Sequence, residues 1–205
     1  MCGFVGFTNY INNSNIVLEN MMNKIIHRGP DSGGTYIDDG IALGFRRLSI
    51  IDLAQGDQPI LNEDGSKVLL FNGEIYNFQS IREKLIAAGH KFKTKTDSEV
   101  LLHGYEEYGK NLLNMLRGMF AFVIWDKNTK ELFGARDFFG IKPLYYSLSG
   151  KSFLFGSEIK SFLPHPHFKK EMNEDALENY LTFQYSPKTY LSFQLLTVLP
   201  IKTET

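Results

Sequence analysis

Four short apolar runs in the second half of the chain limit its fold more than any other feature. "GMFAFVIWD" (118–126), "ELFGARD" (131–137), "PLYYSLS" (143–149) and "SFLFGS" (152–157) follow one another with short breaks. "KNTK" and "SGK" between them read as hairpin turns. Strands joined by hairpins pair antiparallel. "GFVGF" (3–7), a run near 41–46 and "KVLLF" (67–71) read as further strands. In "SNIVLENMMNKIIHRG" (14–29), Val17, Met21 and Ile25 with Leu18, Met22 and Ile26 have helical spacing, with Ser14 or Asn15 as cap and Gly29 as stop. "NFQSIREKLIAAG" (77–89) reads as a helix ending at Gly89, and "TDSEVLLHGYEEYG" (96–109) as another, with Thr96 and Glu99 at capping-box spacing. Two more helices are expected near 157–163 and 174–183. Strands outnumber helices, so the expected class is α+β, with mainly antiparallel sheets covered by helices.

Composition narrows the function. The 205 residues are 43% hydrophobic, enough for a substantial core, and suggest one large domain or one domain plus the start of another. A net charge of −1 gives no basic field for nucleic acid. No apolar run is long enough to predict a membrane span, and the start lacks the basic region of a signal peptide. The single cysteine excludes an internal disulfide and fits a reducing compartment, so a cytoplasmic location is expected.

That cysteine is Cys2, within "MCGFVGF". Removal of Met1 would leave a thiol and a free α-amine on one residue. A free thiol has a pKa of about 8.5 and an α-amine about 7.7–8.0. The neutral amine can take the thiol proton directly or through one water, with neither histidine nor metal. A buried structural cysteine next to the start codon is the competing possibility.

Nine motifs then stand in order: "MCGFVGF", "HRGPDSGG" (27–34), "RRLSIIDL" (46–53), "GDQPI" (56–60), "FNGEIYN" (71–77), "TKTDSEVLL" (94–102), "RGMFAFVIWD" (117–126), "RDFFGIKPLYY" (136–146) and "FGSEIKSFL" (155–163). Together they resemble the class II glutamine amidotransferase domain of glutamine-dependent asparagine synthetases, over about residues 2–189. "RGPDSGG" is similar to the asparagine synthetase branch in particular. The resemblance implies an N-terminal nucleophile hydrolase fold: a four-layer αββα sandwich with two mainly antiparallel sheets between helical layers. It also implies hydrolysis of glutamine to glutamate and ammonia.

In that scheme Cys2 attacks the glutamine side-chain amide to form a γ-glutamyl thioester. Its amine protonates the departing ammonia and then activates water. The oxyanion needs fixed donors. Taken alone, Asn72–Gly73 reads as a hairpin turn. The family match instead implies that the Asn72 side chain and the Gly73 backbone N–H form the oxyanion hole. The substrate carboxylate calls for an arginine. Arg46 and Arg47 both qualify by type, and the resemblance selects Arg47, directly before "LSI". Asp97, assisted by Glu74, suits the substrate ammonium; a first-turn helix charge is the alternative role for Asp97. The resemblance also places Leu48, Ser49, Ile50 and Ile51 along the glutamine pocket. Arg28, Gly29 and Asp31 are expected to organise the loop behind the nucleophile.

No cofactor and no metal is expected in this chain. His27, His90, His103, His165 and His167 show no metal spacing with acidic partners, apart from the close pair "HPH", which reads as solvated loop. Lys91, Lys93 and Lys95 alternate as on one exposed strand face, and "YLTFQY" (180–185) reads as helix packing. Proteins of the resembled family are longer, with a second domain that activates aspartate using ATP and Mg²⁺. Residues 190–205 depart from the family pattern and read as a divergent tail or the start of such a domain. Expected partners are therefore L-glutamine and an ATP-dependent synthetase domain in cis or trans, with no nucleic acid and no membrane; a homodimer is one assembly this allows. Two other functions fit less of the sequence: an amidotransferase for another acceptor such as a surface sugar, and a non-catalytic glutamine-binding or interaction module.

Overall fold

The computed structural model describes residues 1–9, 11–48, 57–171 and 174–184. Strands β1 (Gly3–Thr8), β2 (Ser32–Ile37), β3 (Ile41–Arg47), β8 (Tyr145–Ser149) and β9 (Ser152–Gly156) form one sheet, in the order β2-β3-β1-β9-β8. Strands β4 (Ile60–Leu61), β5 (Lys67–Ile75), β6 (Gly118–Asp126) and β7 (Glu131–Arg136) form a second sheet in sequential order. Every pairing in both sheets is antiparallel. The helices are α1 (Ser14–Asn23), α2 (Phe78–Ala87), α3 (Asp97–Tyr108) and α4 (Glu174–Phe183).

Alternation of side chains along each strand divides the interior into three layers. Phe4, Ile41, Leu43 and Phe45 of the first sheet meet Val68, Leu70, Ala121, Val123 and Trp125 of the second in a shared inner core. Val5, Phe7 and Ala42 face the other way, onto Leu18, Met21, Met22 and Ile25 from α1 and the turn after it. Leu69, Phe71, Phe120, Phe122 and Ile124 pack against Ile81 and Leu85 of α2 and Val100, Leu101 and Leu102 of α3. This is the expected four-layer αββα sandwich. Trp125, Phe4, Phe45, Phe122 and Phe155 are among its largest fully buried side chains. Each such burial contributes roughly 1.5–3 kcal/mol.

Several local expectations need correction. The first helix stops at Asn23, well before Gly29, and a short 3-10 turn follows at Ile26–Arg28. Gly29 is required there for a different reason: a Cβ would lie 2.3 Å from the Arg46 carbonyl carbon. Ser14 does not cap the helix axis; its hydroxyl bonds the N–H and C=O of Ile11 and fixes the entry turn. Thr96 occupies the N-cap of α3, but the box does not form, because Glu99 accepts from the N–H groups of Lys93 and Thr94 instead. The Lys91, Lys93, Lys95 segment is not a strand, although all three lysines are exposed. His165 is buried rather than solvated, edge-on to Phe7 at 4.8 Å, and burial lowers its pKa to about 4. On α4, Leu177, Leu181 and Phe183 are exposed, so the "YLTFQY" packing is not seen among the described residues.

Gln58 shows how the second sheet is held at its site-proximal end. Its side-chain amide donates to the Phe71 carbonyl at 2.9 Å and accepts from the Phe71 N–H at 2.6 Å. One buried side chain thus stands in for a strand beside β5, immediately before Asn72. Gly34 makes room for it, since a Cβ there would meet the Gln58 carbonyl oxygen at 2.1 Å. Gln58→Ala leaves both Phe71 backbone groups unsatisfied and should cost about 2–4 kcal/mol. Urea titration should show a lower midpoint at unchanged slope.

Candidate active site

The candidate nucleophile, Cys2, lies at the start of a central strand. Cys2 precedes β1, shares the parity of Phe4, and packs against the inner core between the sheets. Its thiol lies 3.7 Å from the Leu48 carbonyl oxygen, which it can donate to, and accepts from the Leu48 N–H at 3.4 Å. The backbone of Leu48 therefore brackets the sulfur. The Cys2 carbonyl accepts from Arg28 Nε at 3.0 Å, and Arg28 is anchored in turn by Glu158 Oε1 at 3.2 Å. The "HRGPD" loop also supports the neighbouring strand, because the Asp31 N–H donates to the Arg47 carbonyl at 3.2 Å. This is the supporting role expected for Arg28, Gly29 and Asp31.

Strand parity separates the two arginines. Leu43 and Phe45 point to the inner core, so Arg47 does too, whereas Arg46 follows Ala42 to the outer face. There Arg46 Nη2 donates to Asn23 of α1 at 2.7 Å. Arg47 is 8% exposed and pairs with Asp57 through Nη1–Oδ1 at 3.0 Å. Asp57 itself is largely exposed. Its carboxylate stands where an incoming carboxylate could bind the same guanidinium. Sequence reasoning gave Asp57 no role, although "GDQPI" was noted.

Asn72 and Gly73 lie inside β5, paired with Ala121 and Phe120 of β6, so they do not form a hairpin turn. Asn72 continues the row Val68–Leu70 on the inner face, the face that β5 turns towards β1. It is 3% exposed, and its Nδ2 has no hydrogen-bond partner among the described residues. A buried, unpaired amide donor costs roughly 1–3 kcal/mol, which is hard to account for unless an acceptor arrives. Gly73 is required by packing: a Cβ would lie 2.3 Å from the Met119 carbonyl oxygen on β6.

Asp97 opens α3 and reaches β5, where Oδ2 accepts from the Ile75 N–H at 2.9 Å. Burial raises its pKa above the ordinary carboxylate value; backbone N–H groups of Ile75, Ser98 and Asp97 oppose this, and the charge of Glu74 adds to it. Among the described residues no cation pairs with Asp97 or with exposed Glu74. The structure thus brings Cys2, Leu48, Arg47 and Asn72 to one buried layer, with Gly73, Glu74 and Asp97 at its β5 edge. Ser49, Ile50 and Ile51 lie outside the described residues.

The chain is 46% identical over 193 residues to asparagine synthetase [glutamine-hydrolyzing] 1 of Bacillus subtilis, covering 92% of this chain and 30% of that protein. It is 44% identical to the second B. subtilis asparagine synthetase, covering 87% of this chain and 24% of the relative. Asparagine synthetase 2 of Arabidopsis thaliana is 43% identical, over 78% of this chain and 28% of its own length. The chain thus spans less than a third of the length of these relatives. Among solved structures, the glutamine phosphoribosylpyrophosphate amidotransferase of B. subtilis has a TM-score of 0.67 at 24% identity, covering 78% of this chain and 43% of its own. That likeness supports the N-terminal nucleophile hydrolase architecture. The glutamine amidotransferase domain family matches residues 1–202, and the chain belongs to that family.

Proposed function

We propose that the chain hydrolyses L-glutamine to glutamate and ammonia through Cys2, and that the ammonia serves asparagine synthesis from aspartate. The observation that carries this is the Asn72 amide, buried and without a hydrogen-bond partner among the described residues, on the inner face of the second sheet, which meets the inner face of the first where Cys2 packs. Loss of Met1, which is half exposed, frees the Cys2 amine. The thiol gives its proton to that amine, and sulfur bonds to the glutamine Cδ. The carbonyl π pair moves onto oxygen, where Asn72 Nδ2 receives it together with the Gly73 N–H. The amine then protonates the departing nitrogen, ammonia leaves, and a γ-glutamyl thioester remains. Water attacks the thioester, and the thiolate departs and recovers its proton.

Arg47 binds the substrate α-carboxylate, which displaces Asp57, while Asp97 and Glu74 bind the α-ammonium. Leu48 holds the sulfur from one side, and the resemblance to the amidotransferase family assigns Ser49, Ile50 and Ile51, which lie outside the described residues, to glutamine binding. Asparagine as the product is supported by the printed names of the relatives. An ATP-dependent synthetase domain, in cis or in trans, would hold ATP and Mg²⁺ and supply the activation of aspartate. Exposed Phe138, Phe139 and Ile141 suit a partner surface for it. They follow Asp137, which bonds Phe120, the β6 partner of Gly73, so they stand at the site end of the sandwich. A single partly buried thiol suits the reducing cytoplasm; no helix among the described residues is long and apolar enough to cross a membrane.

Ammonia release from glutamine, measured alongside intact mass, should require loss of Met1 and should vanish in Cys2→Ala. Activity surviving in Cys2→Ala would sink the assignment. Asn72→Ala should lower kcat about 10²–10³-fold. Asp97→Asn should lower kcat/KM by about 100-fold or more, mainly through KM.

Asp97 also makes a stability prediction. Its folded-state pKa is raised, so the folded chain holds that proton more tightly than the unfolded chain. Stability from this group is present at low pH and is lost as pH rises from the ordinary carboxylate range through the raised value. Asp97→Asn should therefore melt at or above the parent temperature at neutral pH. KM of the parent should rise as pH falls through the same window, because protonated Asp97 cannot attract an ammonium.

A further inference from the structure

The end of α3 away from Asp97 carries a cluster that the glutamine chemistry does not use. Glu63 comes from the turn between β4 and β5, His90 from the segment after α2, and His103 and Glu106 from α3. One ligand atom each from Glu63, His90 and His103 lies within 4.8 Å of the other two. His103 Nδ1 is 3.6 Å from Glu63 Oε2 and 2.9 Å from Glu106 Oε2, and His90 Nδ1 is 4.0 Å from that same Glu106 oxygen. Tetrahedral zinc with bonds of about 2.0–2.1 Å sets its ligand atoms about 3.3 Å apart, within a small side-chain adjustment of these distances.

The outer partners are also in place. His90 Nε2 faces Glu107 Oε2 at 3.2 Å, and His103 Nε2 faces Glu99 Oε1 at 3.6 Å. Asn62 Nδ2 donates to the second Glu106 oxygen at 2.6 Å. Each imidazole thus turns one nitrogen inward and the other to a carboxylate, the arrangement that orients metal-bound histidines. Charge points the same way. Glu63, Glu99, Glu106 and Glu107 surround two imidazoles, and the nearby Lys67 is paired with Asp126. With both imidazoles neutral, as ligation requires, the four carboxylates dominate the cluster, and a dication would offset about half of their charge. Burial works against a charged His103, but the Glu106 hydrogen bond and the charges of Glu63, Glu106 and Glu99 outweigh it and raise its pKa, so protons compete with a metal for this imidazole.

We propose that Glu63, His90, His103 and Glu106 form a divalent transition-metal site of the zinc type. With four protein ligands it is a closed structural site, pinning α3 to the β4–β5 turn and to the chain after α2. His103 is 1% exposed, so its replacement risks unfolding; the test uses the more accessible Glu63 and His90.

The experiment titrates Zn²⁺ alone, then Co²⁺ for its absorption bands, into the full chain carrying Cys2→Ala. That background removes the terminal thiol as a rival ligand. The expected result is one equivalent bound, a tetrahedral cobalt spectrum, and a melting temperature raised by zinc. Glu63→Gln and His90→Ala should each weaken binding about 10-fold or more and abolish the zinc-dependent rise. Glu107→Gln should weaken binding by about 10-fold with the cobalt bands kept. Absence of saturable binding would overturn the site, as would one-equivalent binding that either Glu63→Gln or His90→Ala leaves unchanged.

Discussion

Two sheets can share one dry layer only if every strand sends alternate side chains into it, and that alternation is what assembles the site. In β1 the inner row runs through Cys2 and Phe4, in β3 through Leu43, Phe45 and Arg47, and in β5 through Val68, Leu70 and Asn72. The first members of each row are apolar and hold the sheets together. The terminal members are a thiol, a guanidinium and an amide at the edge of the same layer. A one-residue slip in any of these strands would send its polar terminus to a helix-covered face. The buried aromatic residues of the inner core therefore fix the register that the chemistry uses.

Burial also explains why the site residues are costly to hold. Asn72 keeps a donor unpaired, and Asp97 keeps a carboxyl in a setting that disfavours its charge. Water near either group would relieve the cost and weaken its pull on a substrate. Loop residues hold the backbone around the site in place. Gln58 completes the hydrogen bonding of Phe71, Gly29 lets the loop at 28–31 pass under Arg46–Arg47, and Arg28 ties the Cys2 carbonyl to Glu158. None of these touches glutamine in the proposed scheme, yet each fixes the backbone of a residue that does.

The strands legible in the chain are those with a mainly apolar run at their centre, such as β1, β6, β7 and β9. β2 was missed because "SGGTYI" is glycine-rich and mostly exposed; only its pairing with β3 makes it a strand. The first helix was drawn too long because Ile25 and Ile26 continue its apolar period, although the chain must turn there to bring Gly29 against Arg46. Cys2 is legible from its position beside Met1, whereas Arg47, Asn72, Gly73, Glu74 and Asp97 are legible as parts of ordered motifs; spacing alone reads Asn72–Gly73 as a turn. Asp57 gives no signal in the sequence, since it stands ten residues after Arg47 and only the fold brings the two to 3.0 Å. Within the cluster at Glu63, His90, His103 and Glu106, His103 and Glu106 are an i,i+3 pair on α3, but Glu63 and His90 come from separate segments and join them only after α2 and α3 pack on the second sheet.

The central claim is that a processed Cys2 sits as a nucleophile in a pocket shaped for glutamine. The most direct measurement treats the chain with a glutamine-shaped electrophile, a chloromethyl ketone in place of the side-chain amide, and reads the modified residue by peptide mass. The account predicts one equivalent of label on the Cys2 sulfur, only in molecules lacking Met1, slowed by excess glutamine and by Arg47→Ala. Labelling of molecules that retain Met1 at the same rate, or labelling indifferent to glutamine, would contradict it.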